Sequence, residues 1–308
     1  MGTTVVKNYL LLMLSVMLCS LPAVSKDKGD GVIEVIDINA LPTKYSELFQ
    51  DVKAKSLKGE NAFVPCFIQL QFATRATFKA RYGGKTDPKV QVTVIMKGVA
   101  DAVMQEIADS AGAFYREALV TAGYEVVPIS ALDDNSSYQK IKEKSDPRGV
   151  EEKLAFAPRY TTHAKTFTYN DGPIYSTKAA LSMYGMMTKL KKGAIIHKFT
   201  INFANFSTDK AYSSAWGETT KSIEIAAMPQ ISIGANSQWF NAKSNIGGLN
   251  NLAEWGLKRD FIVSTEQVDN NTYVMNVDPA VFKDCCLQII KKNIELNVAY
   301  FRQLSKKD

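Results

Sequence analysis

Two runs of strict alternation, set end to end, constrain this chain more than any other feature. Over residues 63–72, Cys66, Ile68, Leu70 and Phe72 share one side while Gln69 and Gln71 take the other. Over 74–82, Ala76, Phe78, Ala80 and Tyr82 oppose Arg75, Thr77, Lys79 and Arg81. A period of two marks a strand whose two faces meet different surroundings. The combined run is too long for one ordinary strand, so a bend or bulge is expected near Ala73.

After a loop marked by Gly83-Gly84 and Asp87-Pro88, Val90, Val92, Val94 and Met96 predict another strand, and a helix is expected over 99–122. Its stripe of Ala100, Met104, Ala108, Ala111, Tyr115, Ala118 and Ala122 is mostly small, which lets a helix lie close to a sheet. Gly123 fits the left-handed C-cap, where a side chain is penalised. The stretch YREALVTAGYEVVPIS then reads as helix, glycine turn and strand over 124–129, followed by a short helix over 136–144. We read this unit as scaffold: Gly123 turns the chain, Pro128 trims a sheet edge, and the alanine face accounts for tight packing without a ligand.

Before the first alternating run, 32–38 predicts a short strand and 45–52 a short helix. From about Leu154 the pattern is mostly strand. Residues 165–169 run into an Asn170-Asp171-Gly172-Pro173 turn, and 177–190 can hold a helix. Ile195, His197, Phe199, Ile201 and Phe203 mark one face of a long strand, and 223–233 marks another, interrupted at Pro229. Residues 245–251 (NIGGLNN) read as loop, 261–265 as a possible strand, and Tyr273, Met275 and Val277 as the last strand. Asp278-Pro279 caps a closing helix to about Leu304, with Phe282, Cys285, Cys286, Ile289, Leu296 and Tyr300 on one side, widened by Ile290, Ile294 and Phe301.

The fold class is therefore α+β, or α/β: a mixed sheet packed by a small-residue-rich helix and a long C-terminal helix. With 46% apolar residues there is ample material for a core over 26–308, read as one envelope domain with a strand-rich second half. A net charge of +6 is too mild to imply nucleic acid. Residues 1–25 read as a signal peptide: Lys7, the apolar run YLLLMLSVML, then Ala23-Val24-Ser25, with cleavage expected after Ser25. The competing reading, lipidation at Cys19, places bulky Leu18 where lipoprotein signals carry a small residue.

Catalytic signatures are sought without success, and no residue is assigned as catalytic, cofactor-binding or metal-binding. His163 and His197 lack metal spacing; His197 shares its face with Phe199 and Ile201 and reads as a core residue, while His163 reads as surface. Ser110 has no glycine before it and no strand leading into it. Asp133-Asp134-Asn135 is better read as a helix cap than as a calcium loop, and Gly247-Gly248 is too isolated for a phosphate cradle. Cys66, Cys285 and Cys286 read as buried thiols, with a bridge from Cys66 to one of the other two as the alternative. Lys189, Lys191 and Lys192, with Lys291, Lys292, Lys306 and Lys307, read as solvated helix ends or a weak anionic-headgroup surface. Acceptor sequons begin at Asn135, Asn205 and Asn270.

The order strand, alanine-rich helix, AGYEVVPIS, short helix SYQKIKE, and finally VMNVDPAVFKDCCLQII resembles the periplasmic domains of the curli-secretion-channel family and related accessory domains of envelope proteins. The resemblance spans about half the chain. It implies an exported, non-enzymatic protein working in assembly or transport, with a protein partner in the envelope, a possible homo-oligomer and possible peripheral membrane contact. Channel-forming members cross the membrane with hairpins. The candidate here is 154–179, around Asn170-Asp171-Gly172, where Arg159, His163 and Lys165 favour a soluble hairpin. An extracellular hydrolase is the rival class and needs two convergent carboxylates, nominally from Asp171, Glu218 and Glu224.

Overall fold

The computed structural model describes residues 34–81, 89–157, 160–175, 180–215, 218–243 and 245–306. The expected signal segment with Cys19 and Ser25, the Gly83-Gly84 loop, Tyr82, Arg159 and Lys307 lie outside them.

β1 (Val35–Asp37) leads into one helical turn, α1 (Tyr45–Leu48), and then β2 (Phe49–Val52). The helix expected across 45–52 stops halfway. Phe49 is buried against Trp255, 5.5 Å between ring centroids, which draws the second half into the sheet. β3 (Ala62–Arg81) is a single strand of 20 residues, followed by β4 (Lys89–Lys97) and α2 (Asp101–Thr121). Gly123 has φ +78°. Its N–H bonds Val120 O while Tyr124 N–H bonds Leu119 O, the paired bonds of a glycine-terminated helix.

β5 (Glu125–Val126) is shorter than the 124–129 pattern because only two of its residues pair with β3 before Pro128 opens a 3-10 turn. α3 (Ser136–Glu143) begins at Asn135, whose side chain accepts from the N–H groups of Ser137 and Tyr138. β6 (Glu151–Ala157), β7 (Tyr160–Thr168), α4 (Ala180–Leu190), β8 (Gly193–Ala215) and β9 (Glu218–Phe240) follow. β9 passes Pro229 without a break. Pairing with β8 slips there by one residue, so a bulge absorbs the proline.

β10 (Ile246–Asn251) replaces the loop expected at NIGGLNN. Its glycines serve close packing: a Cβ on Gly247 would stand 2.7 Å from the Ala54 backbone, and one on Gly248 2.4 Å from Ser237 O. β11 (Glu254–Leu257), β12 (Ile262–Asp269), β13 (Thr272–Val277) and α5 (Pro279–Lys306) complete the chain. Asp278 caps α5 by accepting from Ala280 and Val281 N–H.

The described strands join one mixed sheet, and the architecture is α+β, with the long C-terminal helix packed on the sheet. β3 is its hub. Over 63–72 it pairs in parallel with β8, and over 75–81 it pairs antiparallel with β4, while β7 runs along its other edge from Gln69 to Phe78. Both overlaps place β8 and β4 on the same edge, one handing over to the other. The bulge expected near Ala73 is present, where the pairing with β7 shifts between Ala73 and Arg75.

Below the bulge both faces of the sheet carry helices. α2 and α5 cover Ile68, Leu70, Phe72, Phe199 and Ile201. α3 and α4 cover Val64, Cys66, Phe67, Ile196 and Phe240 on the opposite face. Alternation groups Cys66 with Ile68, but a shift in pairing with β8 between Pro65 and Phe67 turns it to the other face. Above the bulge the buried side chains meet other strands, as when Phe206 of β8 stacks on Phe78 of β3 at 5.5 Å.

Candidate interaction surface

The residues that sequence reasoning weighed for chemistry are built into the scaffold. His197 is fully buried, its Nδ1 bonded to the Tyr115 hydroxyl and its ring stacked on Phe199 at 4.1 Å. Burial pushes its pKa down to about 3, so the ring stays neutral. His163 is half-buried in β7 rather than fully at the surface. Ser110 donates to Glu106 O within α2. Cys66 stands in the core opposite the one holding Cys285 and Cys286, and all three are free thiols. Lys192 pairs with Glu125, Lys189 donates to Ser136, and Lys291 sits over the Phe114 ring.

The three nominal hydrolase carboxylates do not converge. Asp171 pairs with Arg148 in the turn that follows β7. Glu224 is exposed on β9 opposite Asp209, and Glu218 begins β9 at the far end of the hairpin. Asn135 and Asn205 are buried and hydrogen-bonded, so among the sequons only Asn270, in the turn from β12 to β13, is exposed.

Two polar groups inside the fold escape a reading based on hydrophobic periodicity. One is on α5, where Asn293 donates to Asn251 and Asn297 accepts from Ser237 Oγ at 3.1 Å. The buried stripe of α5 thus includes Asn293, Asn297 and Val298, whereas Leu296 and Tyr300 are only half-buried. The other is on the face away from α2 and α5. There Asn202 Nδ2 donates to both Glu254 carboxylate oxygens, at 2.9 and 3.1 Å, and Ser232 Oγ donates to one of them. Burial raises the Glu254 pKa, and these hydrogen bonds oppose the rise. Among the described residues no three metal-ligating side chains cluster.

The pattern that points outward is made of strands. β3 and β4, β6 and β7, and β8 and β9 form three hairpins, and β6, β3 and β8 all run toward the same end of the sheet. The strand ends Arg81 and Lys89, Ala157 and Tyr160, and Ala215 and Glu218 therefore lie toward one pole. The hairpin in the 154–179 region is β6 with β7; the Asn170-Asp171-Gly172 turn instead follows β7 and is tied to α2, Asn170 N–H donating to Asp109, with Asn170 and Asp171 both at φ 51°. The largest hairpin, β8 with β9, pairs with β3 and β11 only up to Ile201 and Ile231. Beyond these positions its two strands are paired with each other as far as Ala215 and Glu218.

On the helix side, α2 and α5 leave a groove of about 550 Å³ walled by Phe114, Glu117, Thr121, Lys291, Glu295 and Arg302. The Arg302 guanidinium lies over Tyr124 at 4.6 Å. Among the described residues no helix is long and apolar enough to cross a membrane, a statement that does not extend to strands. Comparison with protein-family models, with curated proteins and with solved structures finds no match.

Proposed function

We propose that this chain is an exported, non-enzymatic protein of the cell envelope that works as an assembly or binding scaffold. The observation that carries the reading is the common direction of the three hairpins. A half held between helices fixes the strands, and the three hairpins run together toward one end. The core placement of His197, the core placement of the cysteines and the scattered carboxylates support a structural rather than a chemical role. The test is the processed chain itself. Recovery from an envelope or extracellular fraction with Lys26 at its N-terminus is the expected result; an unprocessed chain confined to the cytoplasm overturns it.

A second reading, an oligomeric pore component, is favoured by the β8–β9 arm. Its paired extension over 204–215 and 218–229 is as long as the roughly nine to eleven residues a membrane-crossing strand requires. Phe206, Ile225 and Ala227 lie on the side turned to the core, opposite exposed Glu224, Ala226 and Met228. Size exclusion with light scattering, with and without liposomes, separates the two readings. A discrete oligomer that floats with lipid favours the pore, and a protein that ignores lipid leaves the scaffold.

A further inference from the structure

Above the bulge, six strands form a sheet in the order β6, β7, β3, β4, β13, β12. β7 and β4 are antiparallel to β3, β6 is antiparallel to β7, β13 is parallel to β4, and β12 is antiparallel to β13. The two edge strands, β6 and β12, therefore run in the same direction. Among the described residues each is paired on one side only.

Their heights match as well. Lys153 pairs with His163, His163 with Arg75, Arg75 with Ile95, Ile95 with Val274, and Val274 with Glu266. One unbroken row thus crosses all six strands and ends in a lysine on one edge and a glutamate on the other. The next row runs Leu154, Thr162, Ala76, Val94, Tyr273, Gln267. Lys153 and Glu266 are both exposed.

β12 has a second property. Its pairing with β13 shifts between Ile262 and Ser264 and again between Gln267 and Asp269. The residues at the two shifts are Val263 and Val268, which are 72% and 65% exposed. Bulges on edge strands ordinarily help to discourage pairing, as charged side chains do. Here both bulged positions carry apolar side chains that stand in water.

We propose that a second copy of this chain adds to the sheet head to tail, β12 of one copy pairing in parallel with β6 of the next, so that Glu266 lies beside Lys153 of its neighbour. Equal direction and equal height mean that one repeated operation carries each copy onto the next, with the twist of the sheet adding to the rotation between them. The interface is heterologous, and it closes into a ring if the rotation per copy divides a full turn and grows as a filament if it does not. The inference deepens the oligomeric form of the proposed function and rests on it only for its biological setting.

The experiment uses protein purified from cells expressing the full chain. Chains carrying Lys153→Cys and chains carrying Glu266→Cys, each also carrying Cys19→Ser, are mixed under mild oxidation, the buried Cys66, Cys285 and Cys286 being unable to compete. A disulfide-linked heterodimer is expected from the mixture and from neither variant alone, since directly paired strands bring Cα atoms within bridging distance. In light scattering, Lys153→Glu or Glu266→Lys alone should weaken association about tenfold, and the double exchange should restore it.

Absence of the heterodimer, or association indifferent to both reversals, overturns the contact. If oligomers persist without it, the oligomeric reading stands and this interface is wrong. If the heterodimer forms but the assembly ignores liposomes, this interface stands and the pore reading falls. A monomer at every concentration overturns the contact and leaves the monomeric scaffold.

Discussion

The two halves of β3 live in different surroundings. From Phe63 to Phe72 it lies in a sheet with helices on both faces, and from Arg75 to Arg81 its buried residues meet strands. In the first half, rings from strand and helix interlock: Trp239 stacks on Phe301 at 3.9 Å, and Phe63 meets Trp239 edge-on at 5.1 Å. In the second, Phe206 on Phe78 holds the β8–β9 arm against the hub. The contrast teaches where stability and exposure are separated: helices seal one half, while the strands of the other carry the free edges and the shared pole.

Trp239→Ala should have the largest effect, a loss of about 3–5 kcal/mol of stability, because it opens a cavity between the sheet and α5. Chemical denaturation measures it; a loss no larger than that of an arm substitution would break the comparison. Next comes acid. A histidine lowered from 6.5 to about 3 in the folded state stabilises fully above pH 6.5 and loses that contribution as the pH falls toward 3. The loss should be roughly 3 kcal/mol by pH 4. His197→Gln should flatten this part of the stability profile, and a profile as steep as the wild type's would place the acid sensitivity elsewhere.

Phe206→Ala has a smaller and more local consequence. The ring pair itself should contribute about 1 kcal/mol, read as the coupling energy in a double-mutant cycle with Phe78→Ala. Hydrogen exchange should quicken along 204–229 and not in α2 or α5; uniform quickening would mean that the arm and the helix-clad half unfold together. The smallest effect is expected from replacing 209–222 with a two-residue turn. Thermal stability should change by less than about 0.5 kcal/mol, while any lipid or partner association that depends on the arm disappears.

Much of this division is legible in the sequence, for reasons that particular residues make plain. Alternation at 63–82 and 195–203, the glycine after α2 and the Asp278-Pro279 cap are local signals, and local signals fix local structure. β10 is not legible, because Gly247 and Gly248 owe their strand conformation to β9 and β2 on either side. Hydrophobic periodicity also passes over Asn293 and Asn297, polar residues on a buried helix face whose partners, Asn251 and Ser237, lie far away in the chain. Glu254 is missed for the same reason. The Lys153 to Glu266 row is the extreme case: its members come from six strands, and only the finished pairing aligns them.

The position of β3 at the junction has a mechanical consequence. A pull on the Arg81 end of β3 alone, directed along the strand, is passed to β8, to which β3 is bonded side by side in parallel over 63–72. The bonds between them lie across the line of force, so they are loaded together in shear instead of opening one at a time. Among the described residues β12 and β13 pair with the upper half through β4 only, and a sideways pull on that ribbon peels its bonds in succession. The same sheet is thus stiff to a load on its pole and compliant to one on its edge.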